Sequence, residues 1–403
     1  MLMSAKSGTI GTLAGNGEPS YGGDGGCAWE AGLNEPKNIA LDSAGALYIA
    51  DSENHTIRKV DLATGRITTV AGRPAEPLPP RETAEQSAQG SERSHEDMLF
   101  SGTADVTAAG FRQYADLSGT VRFVAGPSSA AARFNGDGGP AVEALLNFPS
   151  AAAVDEQGHV YIADTRNHRV RKVDATTGVI TTIAGTGQHR FSGDGGPATS
   201  AALNEPVALV VDRRRHLYIA DQSNNRVRKV DLDSGIITTV AGTGPADYFG
   251  DGKPATEAAL SGPSGLTIGP EGALYIADTF NGRIRMVDPT TGIMVTIAGD
   301  GGDYRYQGVA HELSTSLSRP YGIALDADGH LFVTDSDSHL VRRWQRHRKL
   351  ITRVAGNGTA GYGGDGGTPE LSRLNYPFGV AVDDRGNVYI ADTFNHRIRV
   401  IAA

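Results

Sequence analysis

A repeat of roughly 57 residues constrains the fold of this chain more than any other feature. The tripeptide Ile-Ala-Asp, or a close variant, recurs along the chain, and an apolar residue followed by Ala-Gly recurs at a fixed distance from it. From Asp164 onwards the aspartates are 57 residues apart, so seven copies account for almost all of the 403 residues. The two markers end at Asp51, Asp105, Asp164, Asp221, Asp278, Asp335 and Asp392, and at Gly15, Gly72, Gly126, Gly185, Gly242, Gly299 and Gly356.

Each copy has the pattern of four short antiparallel strands. In the fourth copy, apolar runs at 207–212, 217–221, 226–231 and 236–241 are separated by polar turns. A lone four-stranded sheet cannot bury both of its faces, whereas sheets packed around an axis bury all of them. The repeat therefore predicts an all-β chain that forms a single β-propeller over residues 1–403, with seven blades.

The two ends of the chain predict how the ring closes. The last copy stops after its third strand, at 397–401, and the matching fourth strand lies at the other end of the chain, at 7–15. We expect this N-terminal strand to pair with the last blade, which removes an exposed sheet edge at the seam.

The second copy departs from the pattern. Between 73 and 97 four prolines and a stretch rich in Glu, Gln and Ser replace the connector and the first strand, while 111–114 and 121–126 still align with the later strands. We interpret this copy as a degenerate blade with a mobile loop at 73–97. Alternatively, the segment 73–97 is a loop that binds a partner. If this copy does not form a blade, the propeller has six blades and an irregular segment instead of seven blades.

Three motifs carry a family resemblance. Asn-His-Arg-Ile at 395–398 follows a Tyr-Ile-Ala-Asp strand, Asn-x-Pro precedes the first strand, and Gly-Asp-Gly-Gly-Pro-Ala lies in the connectors. The chain resembles NHL-repeat β-propellers, and its connectors resemble those of bacterial and teneurin-type members. The resemblance covers copies 1 and 3 to 7 and implies the fold, whereas propellers of this kind host many roles.

The repeated polar residues are interpreted as structural. The Asp and Asn of each Asp-x-x-Asn segment lock a turn through nearby backbone amides. His55, His168 and His396 occupy one repeat position, so separate blades hold them apart and no metal cluster is expected. The aspartates of Gly-Asp-Gly cap short helical turns in the connectors rather than bind calcium; they are Asp24, Asp137, Asp194, Asp251 and Asp365.

Charge and composition exclude several classes of protein. A net charge of −9 argues against bulk nucleic-acid binding, and one cysteine, Cys27, excludes an internal disulfide framework and multi-cysteine metal sites. No apolar run is long enough to span a membrane. The first residues lack the apolar stretch of a secretory signal, which predicts a cytoplasmic protein unless a leader has been removed. No cofactor or metal is expected.

The residues that differ between copies mark the candidate site. Aromatic residues follow the Asn-x-Pro turns of copies 6 and 7, and the connector before copy 6 is rich in Tyr and Arg, with Gly308 at the usual position of Asp. Tyrosine and arginine are common at binding hot spots, and rings beside a guanidinium suit a planar or anionic ligand. The predicted ligand-binding residues, which we place on one face at the channel mouth, are Lys37, Tyr304, Arg305, Tyr306, Arg319, Tyr321, Tyr376 and Phe378.

These residues favour a binding propeller that presents its connector face and channel mouth to a small molecule or a protein partner. The alternative is a lyase, hydrolase or cyclase with its site at the channel mouth near copies 6 and 7. His311, with Tyr304 or Tyr306, is its candidate acid–base group, and we place it on the same face as the ligand-binding residues. The sequence does not decide between enzyme and binding module.

One further alternative is a module that binds RNA or another polyanion. The segment 342–349 is basic and contains Trp344, and a basic hairpin of this kind could contact a polyanion. Because the chain is acidic overall, we expect a solvated rim there rather than a nucleic-acid site.

Overall fold

The computed structural model describes residues 6–74, 134–302 and 309–403, together with two backbone strands at 111–115 and 121–125. The chain forms two compact units. One is Met1–Pro74 with Phe134–Ala403, and the other is Ala75–Arg133. The segment 73–97, expected to be a mobile loop, falls outside the described residues from 75 onwards.

The first unit contains six antiparallel sheets, numbered here as blades in chain order. Blade 1 consists of β2 (Pro36–Leu41), β3 (Ala46–Asp51), β4 (Thr56–Asp61) and β5 (Arg66–Ala71). Blade 2 consists of β8 (Ala151–Val154), β9 (Val160–Asp164), β10 (Arg169–Val173) and β11 (Ile180–Ala184). Blade 3 consists of β12 (Pro206–Val211), β13 (His216–Asp221), β14 (Arg226–Asp231) and β15 (Ile237–Ala241).

The remaining three blades repeat this order, with one extra strand in blade 5. Blade 4 consists of β16 (Pro263–Ile268), β17 (Leu274–Asp278), β18 (Arg283–Val287) and β19 (Met294–Ala298). Blade 5 consists of β20 (Ala310–His311), β21 (Pro320–Leu325), β22 (Leu331–Asp335), β23 (Leu340–Gln345) and β24 (Leu350–Ala355). Blade 6 consists of β1 (Ile10–Ala14), β25 (Pro377–Val382), β26 (Val388–Asp392) and β27 (Arg397–Ile401).

The six inner strands form a closed ring. Each contacts the inner strand of the next blade, in the order β2, β8, β12, β16, β21, β25 and back to β2. Six apolar clusters fill the spaces between neighbouring sheets, and one of them joins Ile57 of blade 1 to Ile162 of blade 2. The fold is therefore a β-propeller of four-stranded antiparallel blades.

The expectation of seven blades is wrong, and the alternative of six is correct. Blades 1 and 2 derive from the first and third sequence copies, and they pack directly on each other through β2 and β8. The second copy therefore contributes no blade between them. In the unit Ala75–Arg133, the structure describes one antiparallel pair, β6 (Phe111–Ala115) with β7 (Val121–Ala125), at the positions where the sequence aligned with later strands.

The predicted closure by the N-terminal strand is confirmed. β1 pairs antiparallel with β27, in a register that places Ile10 opposite Ile401. Ile10 and Ala14 are completely buried, and Leu13 is 6% exposed. The strand therefore covers the edge of blade 6 and adds to the core between neighbouring blades.

Short 3-10 helices connect the strands. In the connectors they span Ala28–Glu30, Ala141–Glu143, Ala198–Ser200, Ala255–Glu257, Glu312–Ser314 and Pro369–Leu371. After the second strands they span Thr165–Asn167, Gln222–Asn224, Thr279–Asn281, Ser336–Ser338 and Thr393–Asn395. Among the described residues, no helix has both the length and the hydropathy that crossing a bilayer requires.

The repeated Asp, Asn and Arg hold each blade together. In blade 3, Oδ1 of Asp221 accepts the backbone N–H of Asn204 (2.7 Å), and Oδ2 accepts from Nδ2 of Asn224 (2.8 Å) and Nη1 of Arg228 (3.4 Å). The predicted turn-locking role is thus correct, and the buried arginine adds to it. Burial raises the pKa of Asp221 to about 6, although its hydrogen bonds and the arginine lower it, so the carboxyl is ionised at neutral pH.

The connector aspartates do not cap helices, contrary to the prediction. Asp194 pairs with the buried guanidinium of Arg228 (Oδ1 to Nη2, 2.7 Å), and the neighbouring 3-10 helix has no side-chain cap. The same pairing recurs in four other blades, through Asp24–Arg58, Asp137–Arg171, Asp251–Arg285 and Asp365–Arg399. A completely buried arginine needs compensating charge more than a single-turn helix needs a cap.

Candidate binding face

One end of the propeller gathers the residues that differ most between blades. The inner strands begin there, and the Asp-x-x-Asn turns lie beside them. Each blade contributes three positions to this end, which we call the loop face: the residues on either side of the first-strand proline and the third residue of the turn. From blade 1 to blade 6 they are Glu35, Lys37, Glu53; Phe148, Ser150, Arg166; Glu205, Val207, Ser223; Gly262, Ser264, Phe280; Arg319, Tyr321, Asp337; and Tyr376, Phe378, Phe394.

Blades 4 to 6 place an aromatic cluster on the loop face. The rings of Tyr321 and Phe378 are stacked, with centroids 4.5 Å apart and planes 17° apart. Phe394 contacts Tyr376 edge to face at 5.3 Å and Phe378 at 6.1 Å. Phe280 is 62% exposed, and the guanidinium of Arg319 lies 5.7 Å from its ring. The structure therefore brings together four predicted residues, Arg319, Tyr321, Tyr376 and Phe378.

A contact between blades fixes the orientation of Tyr376. Its backbone has φ of 48°, and its N–H donates to Nδ1 of His339 in blade 5 (3.2 Å). The Tyr376 ring packs edge to face on the imidazole of His339 at 4.7 Å. Blade packing thus positions the aromatic cluster before any ligand arrives, which reduces the entropy lost on binding.

Charged groups lie beside the aromatic rings. Nε of Arg319 is 3.5 Å from Oδ2 of Asp337. Oδ1 of Asp337 is buried and has no hydrogen-bond partner among the described residues. Burial raises the pKa of Asp337, and the guanidinium of Arg319 opposes that shift. Tyr376 and Phe378 are buried, so the accessible ring surface of the cluster comes from the exposed Phe280 and the partly buried Tyr321 and Phe394, beside the guanidinium of Arg319.

Lys37, one of the predicted ligand-binding residues, is buried. Its side chain is 1% exposed, because β2 and β25 approach closely at this point. A Cβ added to Gly379 would lie 2.6 Å from the carbonyl oxygen of Lys37, so the glycine permits the approach. Lys37 belongs to the interior of the ring near the mouth.

His311 does not share a face with the aromatic cluster, contrary to expectation. It pairs with Leu350 at the start of β24, which itself pairs with Gln345 at the end of β23. The loop face lies at the other end of blade 5, where Pro320 pairs with Asp335. The predicted residues Tyr304, Arg305 and Tyr306 lie outside the described residues.

The basic segment 342–349 is only partly exposed. Arg342 is completely buried, and Trp344 is 6% exposed and donates its Nε1–H to Oε2 of Glu312 (2.5 Å). Arg346 contacts Glu271 across the boundary to blade 4 (3.2 Å). Two of the residues that suggested a polyanion-binding hairpin are therefore part of the blade interior.

Sequence reasoning missed Phe280, Asp337 and Phe394. All three occupy the third residue of the turn after the second strand, which is Asp-x-x-Asn except in blade 5, where Ser338 replaces Asn, and which holds Glu53, Arg166 and Ser223 in the other blades. Variation at this position, between residues that repeat from blade to blade, is the signal that could have found them.

A cavity of about 740 Å³ lies away from this face, between the closing strand and the connectors of blades 1 and 6. Trp29, Cys27 and Tyr362 line it, and none of the predicted site residues does. It offers a competing site against which binding at the loop face can be tested.

Comparison with known proteins agrees with this architecture. The teneurin NHL domain model matches residues 7–84 and 125–193, and the NHL repeat model matches 317–344 and 374–401. The fold and these matches define the class as a β-propeller built from NHL repeats. The chain belongs to the NHL-repeat β-propeller family, as its motifs suggested.

Its relatives are considerably longer proteins. The chain is 30% identical over 327 residues to NHL repeat-containing protein 2 of Gallus gallus, covering 73% of this chain and 44% of that protein. It is 29% identical over 272 residues to Protein SUPPRESSOR OF QUENCHING 1, chloroplastic, of Arabidopsis thaliana, covering 64% of this chain and 25% of that protein. The chain thus spans less than half the length of these relatives.

A solved structure from Bacteroides thetaiotaomicron, of unknown function, shares the fold. Its TM-score is 0.60 at 17% identity, with 97% of this chain and 74% of that chain covered.

Proposed function

We propose that this chain is a binding propeller that presents the aromatic cluster of its loop face to a small molecule or a protein partner. The observation that carries the proposal is the stacked pair Tyr321 and Phe378, extended by Phe394 and the exposed Phe280. Aromatic rings beside a guanidinium are typical of binding hot spots and suit a planar or anionic group.

The enzyme alternative receives less support from the geometry. Its candidate acid–base residue, His311, lies at the end of blade 5 opposite the aromatic cluster. The polyanion alternative loses two of its residues to the blade interior, Arg342 and Trp344. Ligand or partner binding at the loop face is therefore the function that best fits the aromatic residues that blades 4 to 6 place side by side.

A planar anionic probe tests the proposal. We expect 1-anilinonaphthalene-8-sulfonate to bind the wild-type chain, and the double variant Phe280→Ser/Phe394→Ser to bind it roughly tenfold more weakly, since each aromatic contact contributes about 0.5–1.5 kcal/mol. Serine occupies the equivalent turn position in blade 3, as Ser223, so the substitution suits the backbone. Probe fluorescence measures the affinity.

The matched control is Trp29→Ser, which alters the cavity beside the closing strand. Trp29 is 47% exposed, so its removal also deletes an exposed ring. Loss of probe binding in the Trp29 variant, together with unchanged binding in the double variant, would place the ligand in that cavity and contradict the proposal.

A further inference from the structure

Five of the six junctions between neighbouring blades share one hydrogen bond on the loop face. The residue after each second-strand turn accepts the backbone N–H of the residue before the first-strand proline of the next blade. Asn225 of blade 3 accepts from Gly262 at 2.9 Å in this way, through Oδ1. The donating residues all have φ between 48° and 57°, in the left-handed region; they are Glu35, Phe148, Glu205, Gly262 and Tyr376.

The junction between blades 4 and 5 lacks this bond. Gly282 occupies the position of the accepting His or Asn, and it has no side chain to accept with. The donor position is Arg319, whose φ is not in the left-handed region and whose N–H lies 3.4 Å from Oδ1 of Asp335. A Cβ added to Gly282 would lie 2.7 Å from the carbonyl oxygen of Leu317, so the connector leaves no room for a larger residue here.

The backbone of blade 5 consequently follows a different path at the loop face. In blade 3 the carbonyl oxygen of Asn204 accepts the N–H of Ser223 (3.1 Å). In blade 5 the carbonyl oxygen of Arg319, one repeat position later, accepts the N–H of Ser336 (3.0 Å), one position earlier. Arg319 thereby avoids the left-handed region, which is unfavourable for a residue with a Cβ. The direction of its side chain follows from this change.

The guanidinium of Arg319 has unused hydrogen-bond donors. It lies 5.7 Å from the ring centroid of Phe280, and its Nε is 3.5 Å from Oδ2 of Asp337. Its side chain is 32% exposed, and it donates no hydrogen bond to any residue that the structure describes. A guanidinium has five N–H donors, so most of its capacity remains for a ligand.

Phe280 supplies an open ring beside this guanidinium. A Cβ added to Gly262 would clash with the Phe280 ring, so the ring packs against the backbone at the start of blade 4. The side chain is nevertheless 62% exposed. A guanidinium binds carboxylate, sulfonate or phosphate groups through paired N–H donors, next to an aromatic face on which a second ring can stack.

We propose that the ligand of the loop face is an aromatic acid. Its ring lies on Phe280, and its carboxylate, sulfonate or phosphate group accepts hydrogen bonds from Arg319. This inference rests on the binding function proposed above and adds the charge of the ligand to it. Asp337 approaches the guanidinium most closely at Nε, so the two Nη groups remain available to the acid.

Two residues thus have distinct roles. Arg319 determines specificity, because it contacts the acidic group. Gly282 is a positioning residue: with no side chain at 282, the backbone at 319 leaves the arrangement of the other junctions and places the guanidinium beside Phe280.

A pair of fluorescent probes tests the charge of the ligand. 1-Anilinonaphthalene-8-sulfonate and the neutral N-phenyl-1-naphthylamine share their rings and differ in the sulfonate. We expect Arg319→Gln to weaken binding of the sulfonate about tenfold, as for one charge-assisted contact, and to change the affinity of the neutral probe less than about twofold. The control Arg213→Gln removes an arginine that is 94% exposed in the first hairpin of blade 3, and it should leave both affinities unchanged.

Gly282→Asn tests the positioning role, since it gives this junction the residue of Asn225. We expect it to return the N–H of Arg319 to a side-chain acceptor and to weaken the sulfonate probe by about the same factor, with the neutral probe unaffected. Combined with Arg319→Gln, it should cause no further loss. General damage to the site would instead weaken both probes. If Gly282→Asn does not fold, Gly282→Ala replaces it, because any Cβ meets the carbonyl oxygen of Leu317.

The variant Phe280→Ser/Phe394→Ser separates this inference from the proposed function. If it weakens neither probe, binding at the loop face is itself wrong. If it weakens both, while Arg319→Gln weakens the sulfonate no more than the neutral probe, the site stands and the ligand is not an acid. Additive losses in the variant Gly282→Asn/Arg319→Gln would refute the positioning role of Gly282.

Discussion

Four histidines, His55, His168, His339 and His396, join neighbouring blades in the same way. Nδ1 of each accepts a backbone N–H from the blade that follows, at 3.1–3.2 Å. Each has φ between 53° and 58°, in the left-handed region. An acceptor on Nδ1 requires the neutral ring with its proton on Nε2. Burial lowers the pKa of His168, His339 and His396.

This arrangement predicts a loss of stability in mild acid. A histidine whose pKa is lower in the folded state than in the unfolded chain, where it is near 6.5, favours unfolding once the pH falls below that value. The melting temperature of the triple variant His168→Asn/His339→Asn/His396→Asn should therefore fall less than that of wild type between about pH 8 and about pH 5. Calorimetry across this range measures the difference.

Blade 3 provides the reason for choosing asparagine. Asn225 occupies the same position with φ of 51°, and its Oδ1 accepts the N–H of Gly262 (2.9 Å). Burial raises the pKa of the buried aspartates Asp51, Asp164, Asp221 and Asp392. These aspartates are present in both the variant and wild type, so their contribution to the pH dependence cancels in the comparison. Parallel pH profiles for the variant and wild type would contradict the prediction.

The residue scale also shows what could be inferred from the sequence. The structural role of the repeated Asp, Asn and His followed from their recurrence, since a residue that recurs at the same position of most blades is expected to stabilise the blade fold. Their partners did not follow, because a hydrogen bond such as the one that Phe148 N–H donates to Nδ1 of His55 joins positions 93 residues apart. The role of Asp194 was misjudged for the same reason: its partner, Arg228, lies 34 residues away, whereas a helix cap is local.

At the scale of single elements, removal of the closing strand should destabilise the propeller. β1 supplies the fourth strand of blade 6 and buries Ile10 and Leu13. Deleting Ser7–Gly15 exposes the edge of β27 and removes both side chains from the core. Burial of two such residues contributes about 3–6 kcal/mol, so the truncated chain should melt clearly below wild type in calorimetry.

The control for this truncation starts the chain at Ser7 and retains β1. It should melt like the intact chain, because Gly8 N–H still donates to the carbonyl oxygen of Ala402 (2.8 Å). Equal melting temperatures for the two truncated chains would mean that the strand adds nothing to the ring.

Strands and turns could be predicted from the sequence where they follow the repeat, but not where the chain departs from it. The four strands of each blade, the connector turns and the pairing of β1 followed from period and composition. The extra strand β20 did not, because it depends on local pairing of Ala310 and His311 with β24. His311 was consequently placed at the wrong end of blade 5.

At the scale of the whole molecule, the length of the inserted unit explains the miscount of blades. In the connector that leads to blade 3, five residues lie between Gly185 and Phe191, whereas 61 residues lie between the equivalent Gly72 and Phe134. The insertion is thus 56 residues long, one fewer than a repeat, and it contains a strand pair aligned with the repeat. The spacing of the repeat markers is therefore the same for such an insertion as for a blade. The direct packing of β2 on β8 shows that no blade lies between them.

This interpretation predicts that the insertion can be removed without opening the ring. Replacing residues 73–133 with the five-residue segment of blade 3, Thr186–Arg190, gives the connector between blades 1 and 2 the length that it has elsewhere. Ser52 Oγ should still donate to the carbonyl oxygen of Pro149 (2.6 Å), and Phe148 N–H to His55, because both contacts lie outside the replaced segment. The shortened chain should therefore unfold cooperatively, within a few degrees of wild type.

The matched control removes one true repeat, residues 186–242, which contains all of blade 3. Five blades cannot complete a ring whose inner strands are spaced for six, so this deletion should abolish cooperative unfolding, because the core faces of blades 2 and 4 lose the sheet between them. Circular dichroism melting curves compare the two deletions, which differ by only a single residue in net length. If the chain without the insertion melted as poorly as the chain without blade 3, residues 75–133 would have to complete the ring, and the six-bladed closure through β2 and β8 would be refuted.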